Sequence, residues 1–341
     1  REAGVLELAA ALPMSVSRPR RGDHVQTGLV LLASVDDYES GAVAKHELTR
    51  PDKELDRVRH LTALGVQDEP VLLLGARHPD IDTVVAAVVA GDPDIDIVTD
   101  DGIGHTLWVL DDADAIARAV AGFSALPRLY IADGHHRSAA AARLRELRRR
   151  EGLGPSSLPG DGLGHDGFLA VVFPADELAV LPYHRTVADL AGRSVAELLD
   201  LLEESFEVSA TGEGAPAPHR HVIGMYAERR WYRLGLRQGR VDEFDPVARL
   251  DVSVLQDLVL APLLHVGNPR TDPRLRFVGG VRGEGELERL VDAGAAAVAF
   301  AMPPTSVDDL VALADAGLIM PPKSTWFEPK LRSGLVVHPL H

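Results

Sequence analysis

The sequence predicts a mixed α/β protein, and three observations carry that expectation. Short apolar runs of strand length recur along the chain, and most are followed by a stretch with helical periodicity. The last third repeats the alternation in order, with a helix expected over 252–264, a strand over 275–278, a helix over 284–293, a strand over 296–301 and a helix over 307–316. That succession suggests helices layered on a sheet. Two stretches rich in Gly, Pro and Ser, 151–167 and 211–219, interrupt the elements without a period of their own.

The elements are justified in chain order. TGLVLLASV, 27–35, is apolar and strand-like and runs into Asp36-Asp37-Tyr38. Pro51 suits the first position of a helix, acidic residues fill its first turn, and Leu55, Val58, Leu61 and Leu64 share one face before Gly65 ends it. A short buried strand is expected over 71–74, a helix over 81–90, a strand over 105–110 and a helix over 113–121. Arg128–Ala132 reads as a strand, followed by Asp133-Gly134-His135-His136-Arg137 and an Ala-rich helix to about Arg150. Residues 151–167 form the expected flexible insertion, after which 168–173 resumes as a strand. A helix is expected over 195–206, and strands near 221–227 and 230–236 form a hairpin. Thr305-Ser306 ahead of Val307-Asp308-Asp309 is a helix cap.

Composition removes several functions. The 341 residues allow two or three domains, at roughly 100–200 residues each, and the expected division is 1–190 and 191–341. A formal net charge of -16 disfavours a coat on nucleic acid, because phosphate-tracking proteins carry the opposite sign. With Cys 0 there are no disulfides, thiolate metal sites or cysteine nucleophiles. No apolar run reaches the roughly 18 residues of a membrane span. The chain opens on Arg1 without a signal-peptide pattern, so its native start is expected upstream. A soluble, cytoplasmic protein with a small anionic substrate is expected, without nucleic acid or membrane as partner and with homo-oligomerisation left open.

Four of the basic residues are lysine, Lys45, Lys53, Lys323 and Lys330; the others are arginine. Lysine supplies a compact, mobile charge where arginine supplies a rigid fork, so the surviving lysines draw attention to 45–57 and 321–334. The turn at 133–137 is the sharpest single feature. A strand ends in Asp-Gly and a helix begins at once, which makes an anion site of free N–H groups and macrodipole. His135, His136 and Arg137 add donors, and Asp133 either caps the helix or holds a metal ion. The plainer alternative is an Asp N-cap followed by surface histidines. In 45–57, Glu47 is either a general base among cations or part of an exposed, salt-bridged helix start. In 320–334, three prolines stiffen a segment whose Lys323, Ser324 and Thr325 suit a phosphate or carboxylate, while Trp326 and Phe327 suit the core. His46-Glu47 opens a zincin pattern, but Arg50 stands where its second His belongs. Walker A, Gly-x-Ser-x-Gly and Gly-x-Gly-x-x-Gly patterns do not occur.

Lys45–Arg57 (KHELTRPDKELDR), Ile131–Ser138 (IADGHHRS) and Met320–Leu335 (MPPKSTWFEPKLRSGL), with LPYHRTV at 181–187, resemble the hallmark blocks of a prokaryotic domain-of-unknown-function family, number ten-fifteen. That resemblance implies a further segment ahead of Arg1. The Asp133–Arg137 turn is also similar to the strand–turn–helix of the ParB/sulfiredoxin fold, which holds ATP phosphates with His and Arg. Free serine kinases of that fold carry a similar Asp-Gly-His-x-Arg element and an acidic base. The likeness implies a ParB/sulfiredoxin-like core with a C-terminal α/β region, and a nucleotide-dependent phosphotransferase acting on free serine or O-phosphoserine. ATP or ADP with Mg2+ would be the cofactors. Asp133, Gly134, His135, His136 and Arg137 would hold the nucleotide, Asp133 also the metal. Glu47, Lys53, Arg57 and His135 would be catalytic. Lys45, His46, Lys323, Ser324, Thr325 and Lys330 would bind substrate. A phosphohydrolase and a nucleotide-sensing module without catalysis are the alternatives.

Overall fold

The structure, a computed structural model, describes residues 14–152, 164–212 and 214–340. It forms two compact units, one made of the chain up to Ala179 with Glu328 onward, the other of Val180–Phe327. Composition predicts one cut near residue 190; the chain instead crosses at 179/180 and returns at 327/328. The return has a physical cause: the end of the chain buries Leu340 against Val58, Ala140 and Leu144 of the first unit. Of the expected insertion, 153–163 lie outside the described residues.

In the first unit, β1 (Met14–Arg21), β2 (His24–Val25), β3 (Gly28–Ser34) and α1 (Val35–Ser40) come first. Next are β4 (Val43–Ala44), α2 (Pro51–Leu64), β5 (Val66–Gln67), β6 (Val71–Gly75) and α3 (Pro79–Val88). They are followed by β7 (Ile95–Val98), β8 (Gly104–Leu110), α4 (Ala113–Ala125), β9 (Leu129–Asp133), α5 (His135–Arg150) and β10 (Gly167–Pro174). The main sheet has the order β4-β9-β6-β10-β3-β1-β8-β7, with β2 on β1. It is mixed: β10 runs parallel to β6 and β4 parallel to β9, whereas the other pairs are antiparallel. β6 and all but the last residue of β10 are buried, as central strands covered on both faces are. Val35, Tyr38, Ile131, Ala139 and Phe168 share one cluster with α1 and α5; Val16, Leu29, Val84, Trp108 and Ala119 share another with α3 and α4.

The second unit contains β12 (Tyr183–Val187), which follows the crossing strand β11 (Ala179–Leu181), then α6 (Val195–Leu202), β13 (Phe206–Ala210), β14 (Val222–Ala227) and β15 (Arg230–Leu236). α7 (Asp251–Leu255), β16 (Leu275–Gly279), α8 (Gly283–Asp292), β17 (Val298–Ala301), α9 (Val307–Asp315) and the crossing strand β18 (Trp326–Glu328) complete it. Its sheet, β13-β15-β14-β17-β12-β16, is antiparallel throughout. The strands of the last third are not adjacent to one another in this sheet, because β12 from earlier in the chain inserts between β16 and β17. The expected helix over 252–264 is α7 followed by a π-helical turn, Gln256–Leu260. Ser306 caps α9 by accepting from the Asp309 N–H at 3.0 Å. Among the described residues no helix is long and apolar enough to cross a membrane.

The junction of β9 with α5 depends on Gly134, whose φ of 102° lies in the left-handed region that suits glycine. A Cβ there would also meet Arg137 Nε at 2.8 Å. Gly134→Ala should lower unfolding free energy by about 1–2 kcal/mol, the left-handed penalty of an L-residue, and displace the Arg137 guanidinium. Urea unfolding checks the first effect; a variant as stable as the parent would show that the turn does not need glycine.

Candidate functional site

The site is built at the start of α5. Arg137 and Ser138 donate backbone N–H groups to the Gly134 carbonyl, at 2.8 and 3.1 Å, and close the first turn. No side chain caps this helix, so the expectation that Asp133 is its cap is not met. The Asp133 carboxylate turns instead to Arg137 Nη2 at 2.8 Å and Lys330 Nζ at 3.7 Å. Arg137 also donates to the Pro70 carbonyl just ahead of β6. Burial would raise the Asp133 carboxyl, but Lys330 and then Arg137 outweigh it and hold the group below the usual carboxylate range.

The two histidines behind Gly134 grip the loop between β4 and α2. His136 Nε2 accepts the Arg50 N–H at 3.1 Å, and His135 Nε2 accepts the His46 N–H at 3.5 Å. An accepting Nε2 leaves the proton of a neutral ring on Nδ1. At His135 that nitrogen lies 3.8 Å from Glu47 Oε2. The His46 and His135 rings meet edge to face at 4.4 Å between centroids. Both are buried, at 2% and 4% exposure, and His46 Nδ1 has no hydrogen-bond partner among the described residues. His135 is therefore a buried grip on the loop with Glu47 nearby, whereas the sequence suggests a donor to phosphate.

Burial is the main cause of the electrostatics. It lowers His46 to about 4, and it lowers His135 well below its ordinary value, a direction that the neighbouring His46, His136, Arg137 and Lys45 reinforce because a further positive charge beside them is disfavoured. His136 is lowered for the same first reason. Lys45, lowered by burial against the pull of Glu39, places Nζ 3.9 Å from the centre of the Tyr38 ring.

The other expected residues are placed variously. Lys53 is exposed on α2. Arg57 is engaged by Glu69 at 3.0 Å, and the two line a small cavity with Arg137, Gln67 and Phe168. Lys330 joins the site through the returning chain. Lys323, Ser324 and Thr325 belong to the second unit, where the buried Ser324 hydroxyl donates to the Pro321 carbonyl at 2.7 Å. Sequence reading missed Tyr38 beneath Lys45 and Glu69 beside Arg57; the acidic pair Asp68-Glu69 ahead of a buried strand was the available signal. A protein-held Mg2+ does not fit the donor set at Asp133. That carboxylate already faces two cations, and among the described residues no three His, Asp or Glu side chains gather as ligands.

For His46 the folded pKa, about 4, lies below the ordinary 6.5, so between those values the unfolded chain binds more protons. Stability should fall as pH drops through that window. Urea midpoints measured from neutral pH downwards should decline, and His46→Gln should flatten the decline. A slope unchanged by the substitution would remove the buried imidazole as its source.

No curated protein matches the chain significantly. Among solved structures, a free serine kinase in complex with AMP aligns at 12% identity and TM-score 0.43, over 91% of this chain and 92% of that one. SbnI with a C-terminal truncation, from Staphylococcus aureus, aligns at 13% identity and TM-score 0.45, over 91% and 87%. A conserved hypothetical protein from Pyrococcus furiosus aligns at 12% and 0.39, over 89% and 93%. Likenesses this distant carry nothing about the chemistry of this chain. The family comparison is firmer: residues 2–253, which include both 45–57 and 133–137 but not 320–335, match the family described as "Protein of unknown function (DUF1015)", and the chain belongs to it.

Proposed function

We propose that the chain is a nucleotide-dependent phosphotransferase whose acceptor is the hydroxyl of free serine. The observation that supports this most is Glu47, held 3.8 Å from the Nδ1 of a buried histidine beside the uncapped start of α5. An uncapped helix start receives anions through its first N–H groups and its dipole. A carboxylate beside it is placed to take a hydroxyl proton. The resemblance of Asp133–Arg137 to the Asp-Gly-His-x-Arg element of free serine kinases points to serine as acceptor and to a ParB/sulfiredoxin-like core.

In this reading the phosphates of ATP or ADP lie against the N–H groups of His135 and His136. The seryl oxygen attacks the terminal phosphorus, Glu47 takes its proton, a new O–P bond forms, and the bond to the nucleotide's bridging oxygen breaks. His135 places the loop that carries Glu47 by accepting the His46 N–H, and its Nδ1 lies 3.8 Å from the carboxylate. Lys330 and Arg137 hold Asp133, so that a second carboxylate charge is not presented to the phosphates. Phosphoryl transfer depends mainly on such positioning and charge compensation.

Phosphorus NMR on the protein with nucleotide, Mg2+ salt and a panel of hydroxy amino acids tests the reading. Transfer to serine is expected. Glu47→Gln should slow it by about 10²–10⁴-fold, the usual range for a lost general base, with nucleotide affinity retained. Phosphate release from phosphoserine without nucleotide would mark a phosphohydrolase. Nucleotide binding without transfer to any acceptor would mark a sensing module.

A further inference from the structure

The second unit contains two cations that the transfer site does not use. Arg185, on β12 between β17 and the edge strand β16, is 4% exposed. Its guanidinium donates to the Tyr183 carbonyl and, at 2.9 Å, to the Lys323 carbonyl, and it stacks on Phe277 at 5.2 Å. Among the described residues, neither Arg185 nor Lys323 is in an ion pair with a carboxylate. A buried guanidinium held by carbonyls and an aromatic face alone is costly, because charge removed from water is normally matched by an opposite charge. Burial lowers it to about 9, opposed only by Tyr183.

Lys323 carries a second, independent mark. Its φ is 57°, a left-handed conformation that lysine rarely adopts. The loop is pinned around it. Thr305 donates to the Ser324 carbonyl at 2.9 Å, Ser324 donates to Pro321, and Trp326 packs so closely on Gly279 that a Cβ there would lie 2.4 Å from its ring. Tyr183 meets Trp326 edge to face at 4.9 Å and supports the Lys323 ammonium, 5.4 Å from its ring centre. The result is an exposed ammonium fixed in place by strained backbone, with an uncompensated guanidinium buried beneath its peptide.

We propose that Lys323 is the contact residue of an oxyanion-binding site on the second unit, taking the carboxylate or phosphate group of a small molecule, and that Arg185 is its positioning residue. Lys323 meets the ligand directly. Arg185 holds the Lys323 carbonyl, fixes the left-handed turn and adds positive potential where screening by water is weak. The site stands apart from the reading of Glu47 and α5 and does not depend on it.

The low lysine content makes a clean test. Selective ¹³C labelling of the lysine ε-carbons in the full chain gives signals for Lys45, Lys53, Lys323 and Lys330 alone, and Lys323→Arg assigns the third. Titration with inorganic phosphate and, separately, acetate should shift the Lys323 signal saturably, with a dissociation constant on the order of 1 mM for so small a ligand. The preferred anion distinguishes phosphate from carboxylate recognition. Arg185→Met should weaken that binding about tenfold while Lys45 and Lys330 respond as in the parent. Because the methionine variant is exposed to misfolding, Lys323→Gly supplies a second arm. Relief of the positive φ should raise Tm, and the stabilisation of the parent by the bound anion should disappear. A Lys323 signal that neither anion moves would overturn the proposal. So would anion stabilisation that persists in Lys323→Gly. Shifts at Lys45 and Lys330 without one at Lys323 would place the anion in the first unit only.

Discussion

The candidate site depends on two consecutive imidazoles that must be neutral at Nε2. His135 and His136 accept backbone N–H groups from His46 and Arg50, so one short piece of α5 grips the β4–α2 loop at two points. Protonation at either Nε2 would turn an acceptor into a donor facing a donor. Burial keeps both rings on the neutral side. Glu47 lies inside the gripped stretch, with its carboxylate 3.8 Å from Nδ1 of the same ring that holds the loop. The loop that carries Glu47 is therefore placed by the same two rings.

The returning chain completes this arrangement. β19 (His338–Pro339) pairs with β5, His338 Nε2 meets the Gly164 carbonyl at 2.7 Å, and Gln26 donates to the Pro329 carbonyl at 3.4 Å. These contacts thread the end of the chain through the first unit and bring Lys330 to Asp133. Asp133 thus shares its charge between a cation four residues along α5 and one from nearly 200 residues later. The charge of -16 over the whole chain gives no hint of so basic a centre.

Local rules made much of this legible. Pro51 opens α2 and Gly65, with φ of 68°, ends it; Ser306 caps α9; the strand–turn–helix at 129–150 lies where Asp133-Gly134 places it. What escaped was set by distant partners. Met14–Arg21 (MSVSRPRR) has arginines around Pro19 and no clear strand period, and it becomes a strand by pairing with both β3 and β8. The proline-rich tail hides its return, since its burial is decided by α2 and α5. His135 and His136 stood out as chemistry, but adjacency in sequence does not tell a ring that faces a ligand from one that accepts a backbone N–H. Pro182–Thr186 within LPYHRTV suits a site and a domain connection equally well in sequence, and only the sheet shows that Arg185 is buried without a carboxylate partner among the described residues.

The claim that links these observations is that nucleotide phosphates bind at the uncapped start of α5. Backbone amide NMR of the full chain, titrated with ADP, tests it most directly. The account predicts that the largest amide shifts fall on Gly134–Arg137, with the Arg50 and His46 amides following as the gripped loop responds. Saturable ADP binding that leaves those amides unmoved would contradict it.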